Sequence, residues 1–147
     1  MPIQIEFANS DQEITQCFSV MVQLRPHLTQ SEFINRVKQQ QQSGYFLVYL
    51  AEKDNIKALA GFRFLEKLSS GKILYVDDLV TDIYQRSAGY GAALWDWLVN
   101  YAQTQNCAAI HLDSGLQRAQ AHRFYFRQRM QIIGFHFALS LDKNLSV

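Results

Sequence analysis

Proline and cysteine are scarce in this sequence, with two of each among 147 residues. Cys17 and Cys107 stand alone, without the paired spacing of a zinc site or the density of a disulfide framework, and this fits a reducing, cytoplasmic setting. Cys107, beside AAIHL, reads as a small buried hydrophobe in a strand. No apolar run reaches the roughly 18 residues of a membrane span, and nothing at the N-terminus resembles a signal peptide, so no membrane partner is expected. Basic and acidic residues nearly balance, 14 against 13, for a net charge of +1. With no dense basic run, nucleic acid is excluded as the expected partner. Neither G-x-G-x-x-G nor G-x-x-x-x-G-K-[ST] occurs, so the dinucleotide fingerprint and the phosphate-loop lysine are both missing. No metal site is expected. There is no linker and no repeat, and the hydrophobic content of 48% supplies a core, so residues 1–147 are expected to form a single domain.

What the chain does contain is a clear alternation of periods. IQIEFA (3–8) alternates like a half-buried strand, and Ile14, Phe18, Met21 and Val22 have helical spacing over about Asp11–Leu24, stopped by Pro26. A second short helix begins after Thr29 or Ser31, with Phe33, Ile34 and Val37 on one face, and runs out in QQQQSG. Three strand-like blocks follow at 45–52, 56–67 and 72–81, separated by the turn signals KDN and SSG. A helix from about Gly89 to Thr104, a strand AAIHLD (108–113), a helix near 117–128 and a last strand within QIIGFHFALSL complete the order. The predicted fold is α/β (α+β): a mixed, mostly antiparallel sheet in which one strand–helix–strand crossover sets two strands parallel.

That crossover turns through QRSAGYGAAL (85–94), the stretch poorest in side chains. Two glycines at a helix start are costly unless something must approach the backbone. Unpaired N–H groups at a helix N-terminus, with the dipole behind them, suit a diphosphate. Tight packing of the helix on a strand would explain the same glycines.

Arg86-Ser-Ala-Gly89-Tyr-Gly91, after a strand ending in DDLVT, resembles the R/Q-x-x-G-x-G/A motif of the GNAT superfamily of N-acetyltransferases. AQAHRFYFRQ (119–128) is similar to that family's A-x-x-F-Y helix, with Ala121, Phe124 and Tyr125 matching. The resemblance spans most of the chain. It implies a GNAT-type sheet with helices on both faces and acetyl-CoA as co-substrate. The acetyl group would go directly to a primary amine of a small molecule or peptide. It further implies that the backbone of Leu79, Val80 and Thr81 pairs with the pantetheine arm. The N–H groups of Arg86, Ser87, Ala88, Gly89, Tyr90, Gly91 and Ala92 would hold the pyrophosphate. Arg118 and Phe124 are placed with the cofactor. Tyr125 is the implied general acid, since a phenol with a pKa near 10 keeps its proton at neutral pH.

An ammonium cannot attack a thioester, so a base is needed, and Asp78 or Asp77 is the candidate. Strand alternation puts the two on opposite faces, and one of them could instead pair with Arg63. Arg25 and His27 in LRPHLTQSEF (24–33), with Asp77 and His122, are candidate acceptor contacts. The resemblance has departures: Arg118 stands where many relatives carry asparagine, and Arg129-Met130 where glycine and phenylalanine are common. With a single strand left after them, a second subunit in a homodimer or the chain's own tail would cover the sheet edge. Two other readings stay open: a non-catalytic acyl-CoA-binding or protein-interaction module with the same fold, and a nucleotide binder using the QRSAGYG turn.

Overall fold

The computed structural model describes residues 2–144 and divides into two compact units, Met1–Leu112 and Asp113–Val147. The first unit is built on a five-stranded sheet in the order β1-β2-β3-β4-β5, formed by Ile3–Phe7, Phe46–Glu52, Asn55–Lys67, Gly71–Thr81 and Ala109–Leu112. All neighbours are antiparallel except β4 and β5, which run parallel as the crossover demands.

Helix α1 (Asp11–Leu24) begins where its sequence says it should. Ser10 accepts from the Glu13 amide while the Glu13 carboxylate accepts from the Ser10 amide, a reciprocal cap worth about 1 kcal/mol. Thr29 caps α2 (Gln30–Gln41) in the same manner. The apolar stripes of both helices, including Ile14, Val20, Met21, Phe33 and Val37, are buried with Leu47, Leu59 and Val80 of the sheet. The opposite sheet face carries an aromatic layer of Phe7, Phe46 and Phe62, closed by Trp97 and Tyr101 of α3 (Tyr90–Thr104), whose rings stack at 4.9 Å. The sheet is therefore sandwiched between helices.

The second unit holds α4 (Ala119–Arg127) and an extended tail. The last strand expected within QIIGFHFALSL does not form among the described residues. Phe135, Phe137, Leu139 and Leu141 alternate as a strand would, yet each is more than four-fifths exposed. Alternation marks which side chains would be buried together, but a strand exists only where another backbone completes its ladder. Cys107 also differs from expectation: it precedes β5 and is only half-buried.

Candidate active site

The centre of the first unit is set by a bulge in β4. Gly61 pairs with Asp78, but Phe62 pairs with Val76, so Asp77 is an extra residue with no opposite number. Such an insertion resets the alternation of the strand. The expectation that Asp77 and Asp78 face opposite ways is thereby corrected, since both carboxylates belong to one polar cluster beside α1 and α2.

Asp78 is held from both sides. Its Oδ2 accepts from the Tyr45 hydroxyl at 2.8 Å, and its Oδ1 accepts from Arg25 Nε at 3.0 Å with Arg25 Nη2 at 2.9 Å. Arg25 Nη2 also donates to the Asp77 carbonyl at 3.0 Å. Asp77 is gripped by Arg63, whose Nε lies 3.2 Å from Oδ1 and 2.9 Å from Oδ2 and whose Nη2 lies 2.5 Å from Oδ2. Arg63 in turn donates to Gln40 of α2 and lies over the Tyr45 ring at 5.4 Å. Tyr45 is 5% exposed; burial, reinforced by the Asp78 charge, pushes its hydroxyl well above the ordinary phenol range, so it stays a donor. Ionised carboxylates have about four acceptor positions, and these contacts leave one open on Asp78 Oδ2.

Around Asp78 lies a cavity of about 300 Å³, lined by Met21, Leu28, Phe33 and Val37 on its apolar side and by Arg25, His27, Arg36 and Tyr45 on its polar side. All of these come from α1, α2, the turn between them and the residue that leads into β2.

The other feature of β4 is what happens after its bulge. Its parallel pairing with β5 ends at Val76 opposite Leu112, so Asp77–Thr81 continue with no strand partner on that side among the described residues. A clamp follows: Gln23 of α1 donates to Asp82 Oδ1 at 3.2 Å and accepts from the Ile83 amide at 2.8 Å, tying α1 to the strand's end. The chain then makes one 3₁₀ turn and enters α3 through Gly89, at φ 87°. Ser87 also has positive φ. Among the described residues no side chain caps α3, and its first backbone bond is Ala93 N–H to the Gly89 carbonyl, so Tyr90, Gly91 and Ala92 present free N–H groups there. Residues 86–89 are exposed, and a Cβ at Gly89 would meet nothing within 4 Å. This is an open, donor-lined turn able to take an anion as bulky as a diphosphate.

In the second unit, burial raises the Tyr125 pKa while the nearby Arg118 guanidinium opposes the shift. His122 Nε2 lies 2.8 Å from the Gly115 carbonyl, so the ring is bonded to the loop leading into its own helix.

Comparison with known proteins decides the family. A family model described as the acetyltransferase (GNAT) family matches residues 11–130. The uncharacterized N-acetyltransferase YhdJ of Bacillus subtilis is 34% identical over 124 residues, covering 84% of this chain and 87% of that protein. This chain belongs to the GNAT family of acetyltransferases. Among solved structures, a GNAT family acetyltransferase from Staphylococcus aureus superposes with TM-score 0.80 at 21% identity, over 96% of this chain and all of that one. Glucosamine-6-phosphate N-acetyltransferase from Arabidopsis thaliana does so with TM-score 0.75 at 18% identity, over 97% of this chain and all of that one. At such identities these two establish the fold.

Within this N-acetyltransferase fold, the residues singled out from sequence divide by unit. Arg25, His27, Asp77 and Asp78 cluster beside the cavity. Leu79, Val80 and Thr81 form the end of β4 that has no partner on the β5 side among the described residues, and the Val80 side chain is buried in the core. Tyr90 turns its hydroxyl to the Glu52 carboxylate, so it too offers main chain rather than side chain to the turn. Arg118, His122, Phe124 and Tyr125 lie together on or next to α4; the Phe124 and Tyr125 rings meet edge to face at 5.8 Å. Sequence reasoning missed Tyr45, Gly61 and Arg36. A lone glycine inside a strand pattern does signal a close approach, and Gly61 carried that signal. Among the described residues no group of three His, Cys, Asp or Glu could hold a metal, and no helix is long and apolar enough to cross a membrane. Cys17, wholly buried, has its thiol pushed up to about 12, chiefly by burial, and burial raises Cys107 as well, so neither thiol is activated as a nucleophile.

Proposed function

We propose that the protein transfers an acetyl group from acetyl-CoA directly to a primary amine, with Asp78 as the base. The observation that carries the reading is the arrangement around that carboxylate. It is fixed by Tyr45 and Arg25, keeps one open acceptor position, lines the cavity, and sits immediately before the end of β4 that has no partner on the β5 side. An incoming ammonium hydrogen-bonds to Asp78 Oδ2, which takes its proton and leaves the amine lone pair free to attack. Holding the carboxylate in one rotamer in advance favours attack by cutting the entropy cost of alignment.

The residues present fit acetyl-CoA. The free N–H groups of Tyr90, Gly91 and Ala92, and the exposed small residues before them, suit its diphosphate. The main chain of Leu79, Val80 and Thr81 suits the amide-bearing pantetheine arm, as one more strand on an open edge. When bound, the co-substrate supplies an activated acetyl thioester. A backbone N–H of this same stretch polarises the acyl carbonyl, a contribution of about 3–4 kcal/mol where such a donor is preorganised. The motif resemblance gives Tyr125, whose hydroxyl burial keeps protonated, as the group that would give its proton to the departing sulfur. Asp77, gripped by Arg63 rather than facing the cavity lining, acts by holding the bulge in shape.

The test is an acetyl-CoA turnover screen over amino acids, amino sugars, polyamines and peptides, repeated with Tyr125→Phe. Turnover of at least one amine, cut about 10²-fold in kcat with acetyl-CoA affinity kept, supports the reading. Acetyl-CoA binding with no transfer to any amine would turn it toward a non-catalytic acyl-CoA-binding module.

A further inference from the structure

The cavity beside Asp78 has an unbalanced charge. Asp78 is the acidic side chain in its lining, while Arg25 and Arg36 are both cationic. Arg25 is matched by Asp78, as Arg63 is by Asp77 and Lys38 by Asp11. Arg36 is different. It lines the cavity from α2, yet among the described residues it makes no ion pair and no hydrogen bond, and Glu32 one turn earlier does not reach it. Arg36 is itself exposed, and on an open surface an unpaired arginine would carry no argument. It borders a concave site, however, together with a second guanidinium, Arg25, whose Nη1 has no protein partner among the described residues, so both offer unused donors to the same space.

We infer that the acceptor is an amine that also carries an anionic group, a carboxylate or a phosphate, bound by Arg36 and the free edge of Arg25 while its ammonium meets Asp78. The inference rests on the acetyl-transfer reading of the same site and specifies its substrate class. A guanidinium fork matches both anions bidentately. The two signs of charge on the cavity wall then orient the molecule end to end, and the apolar wall of Leu28 and Phe33 takes the carbon skeleton between them. The volume of about 300 Å³ is at the small end for ligand sites, which fits a compact zwitterion better than a peptide segment. Polyamines are disfavoured by the same charges, since a second ammonium would face Arg36 instead of a carboxylate.

The experiment uses the full chain with matched pairs of amines that differ only in the anion: amino acids against their amides, and amino-sugar phosphates against the unphosphorylated amino sugars. Binding is measured by titration calorimetry and turnover by acetyl-CoA consumption. In at least one family of pairs the anionic member is expected to bind and react at least tenfold better, and which family it is separates carboxylate from phosphate. Arg36→Gln should raise KM for that member about tenfold or more, leave kcat and acetyl-CoA Kd nearly unchanged, and shrink the preference toward unity. The preference should also weaken as salt is raised. Equal use of both members, a preference for polyamines, an unaltered ratio in Arg36→Gln, or no binding of either member at millimolar concentration overturns the inference. Selective binding of the anionic members without any transfer would instead sustain it and count against the acetyl-transfer reading.

Discussion

A methyl group on Gly61 would land on the phenolic oxygen of Tyr45. The Cβ built at Gly61 also comes within 2.7 Å of Asp78 Oδ2, so the missing side chain is the space through which the Tyr45–Asp78 hydrogen bond runs. Neither neighbour can yield easily, because Tyr45 is buried and Asp78 is held by Arg25. Gly61→Ala is therefore expected to cost about 1–3 kcal/mol of stability through overpacking. By displacing the carboxylate it should also lower kcat/KM by at least about tenfold. Denaturant unfolding and steady-state kinetics on the one variant check both, and a fully active, fully stable Gly61→Ala protein would contradict the close approach.

The same tyrosine sets an alkaline limit. Tyr45 has a folded-state pKa well above its unfolded value near 10, with burial the first cause and Asp78 the second. Between those two values the native protein holds a proton that the unfolded chain has released, so stability is complete below about pH 10 and falls as pH rises through the folded pKa. One such group contributes a slope of up to about 1.4 kcal/mol per pH unit. Tyr49 and Tyr125 are raised also and add to the fall. In Tyr45→Phe the unfolding free energy should start lower near neutrality, having lost the bond to Asp78, but decline less steeply above pH 10. Denaturant titrations at several pH values from 7 upward measure the two slopes.

A third expectation concerns the end of α4. Arg129 adopts φ 65°, the Met130 amide donates to the Tyr125 carbonyl, and the Arg129 amide donates to the Phe126 carbonyl. These two bonds make a Schellman end with an arginine where glycine is cheapest. A side chain in the left-handed region costs roughly 1–2 kcal/mol, partly offset by the entropy a glycine would lose. Arg129→Gly should accordingly stabilise the protein by about 0.5–1 kcal/mol without altering kinetics, seen as a higher denaturation midpoint. An unchanged or lower midpoint would mean that the arginine side chain makes up the difference.

How far the sequence discloses this molecule follows from the range of each interaction. Helix α1 is predicted over about Asp11–Leu24 because the spacing of Ile14, Phe18, Met21 and Val22 and the stop at Pro26 are local signals. The turn at 86–92 is legible for the same reason, since glycine at φ 87° leaves its mark in composition. The relation of Tyr45 to Asp78 is not legible, because 33 residues separate them and a bulge at Asp77 decides which way each carboxylate faces. Strand alternation presumes an unbroken ladder, and so it assigned Asp77 and Asp78 to opposite faces. The tail errs in the other direction: QIIGFHFALSL has the period of a strand, but period alone supplies no neighbouring backbone. Arg25 stood out beside Pro26, yet only the tertiary structure says that its guanidinium meets Asp78.

The last prediction isolates the co-substrate's turn from the rest of the site. Gly89 is a poor position for a probe, since any side chain there is strained at its positive φ. Ala92 is better: it is exposed, and it is the third residue of α3, whose N–H is among the unpaired donors. An aspartate at that position is favoured by the helix dipole, so Ala92→Asp should fold at least as stably as the parent chain. If the diphosphate of acetyl-CoA sits on those donors, the same carboxylate both repels it and competes for the N–H groups, and acetyl-CoA affinity should fall by more than tenfold. The loss should be smaller at high salt, where the repulsion is screened, and Ala92→Ser should bind almost as the parent does. Calorimetric titration of the three proteins with acetyl-CoA, alongside their denaturation midpoints, makes the distinction: a stable Ala92→Asp protein with undiminished affinity would place the diphosphate elsewhere.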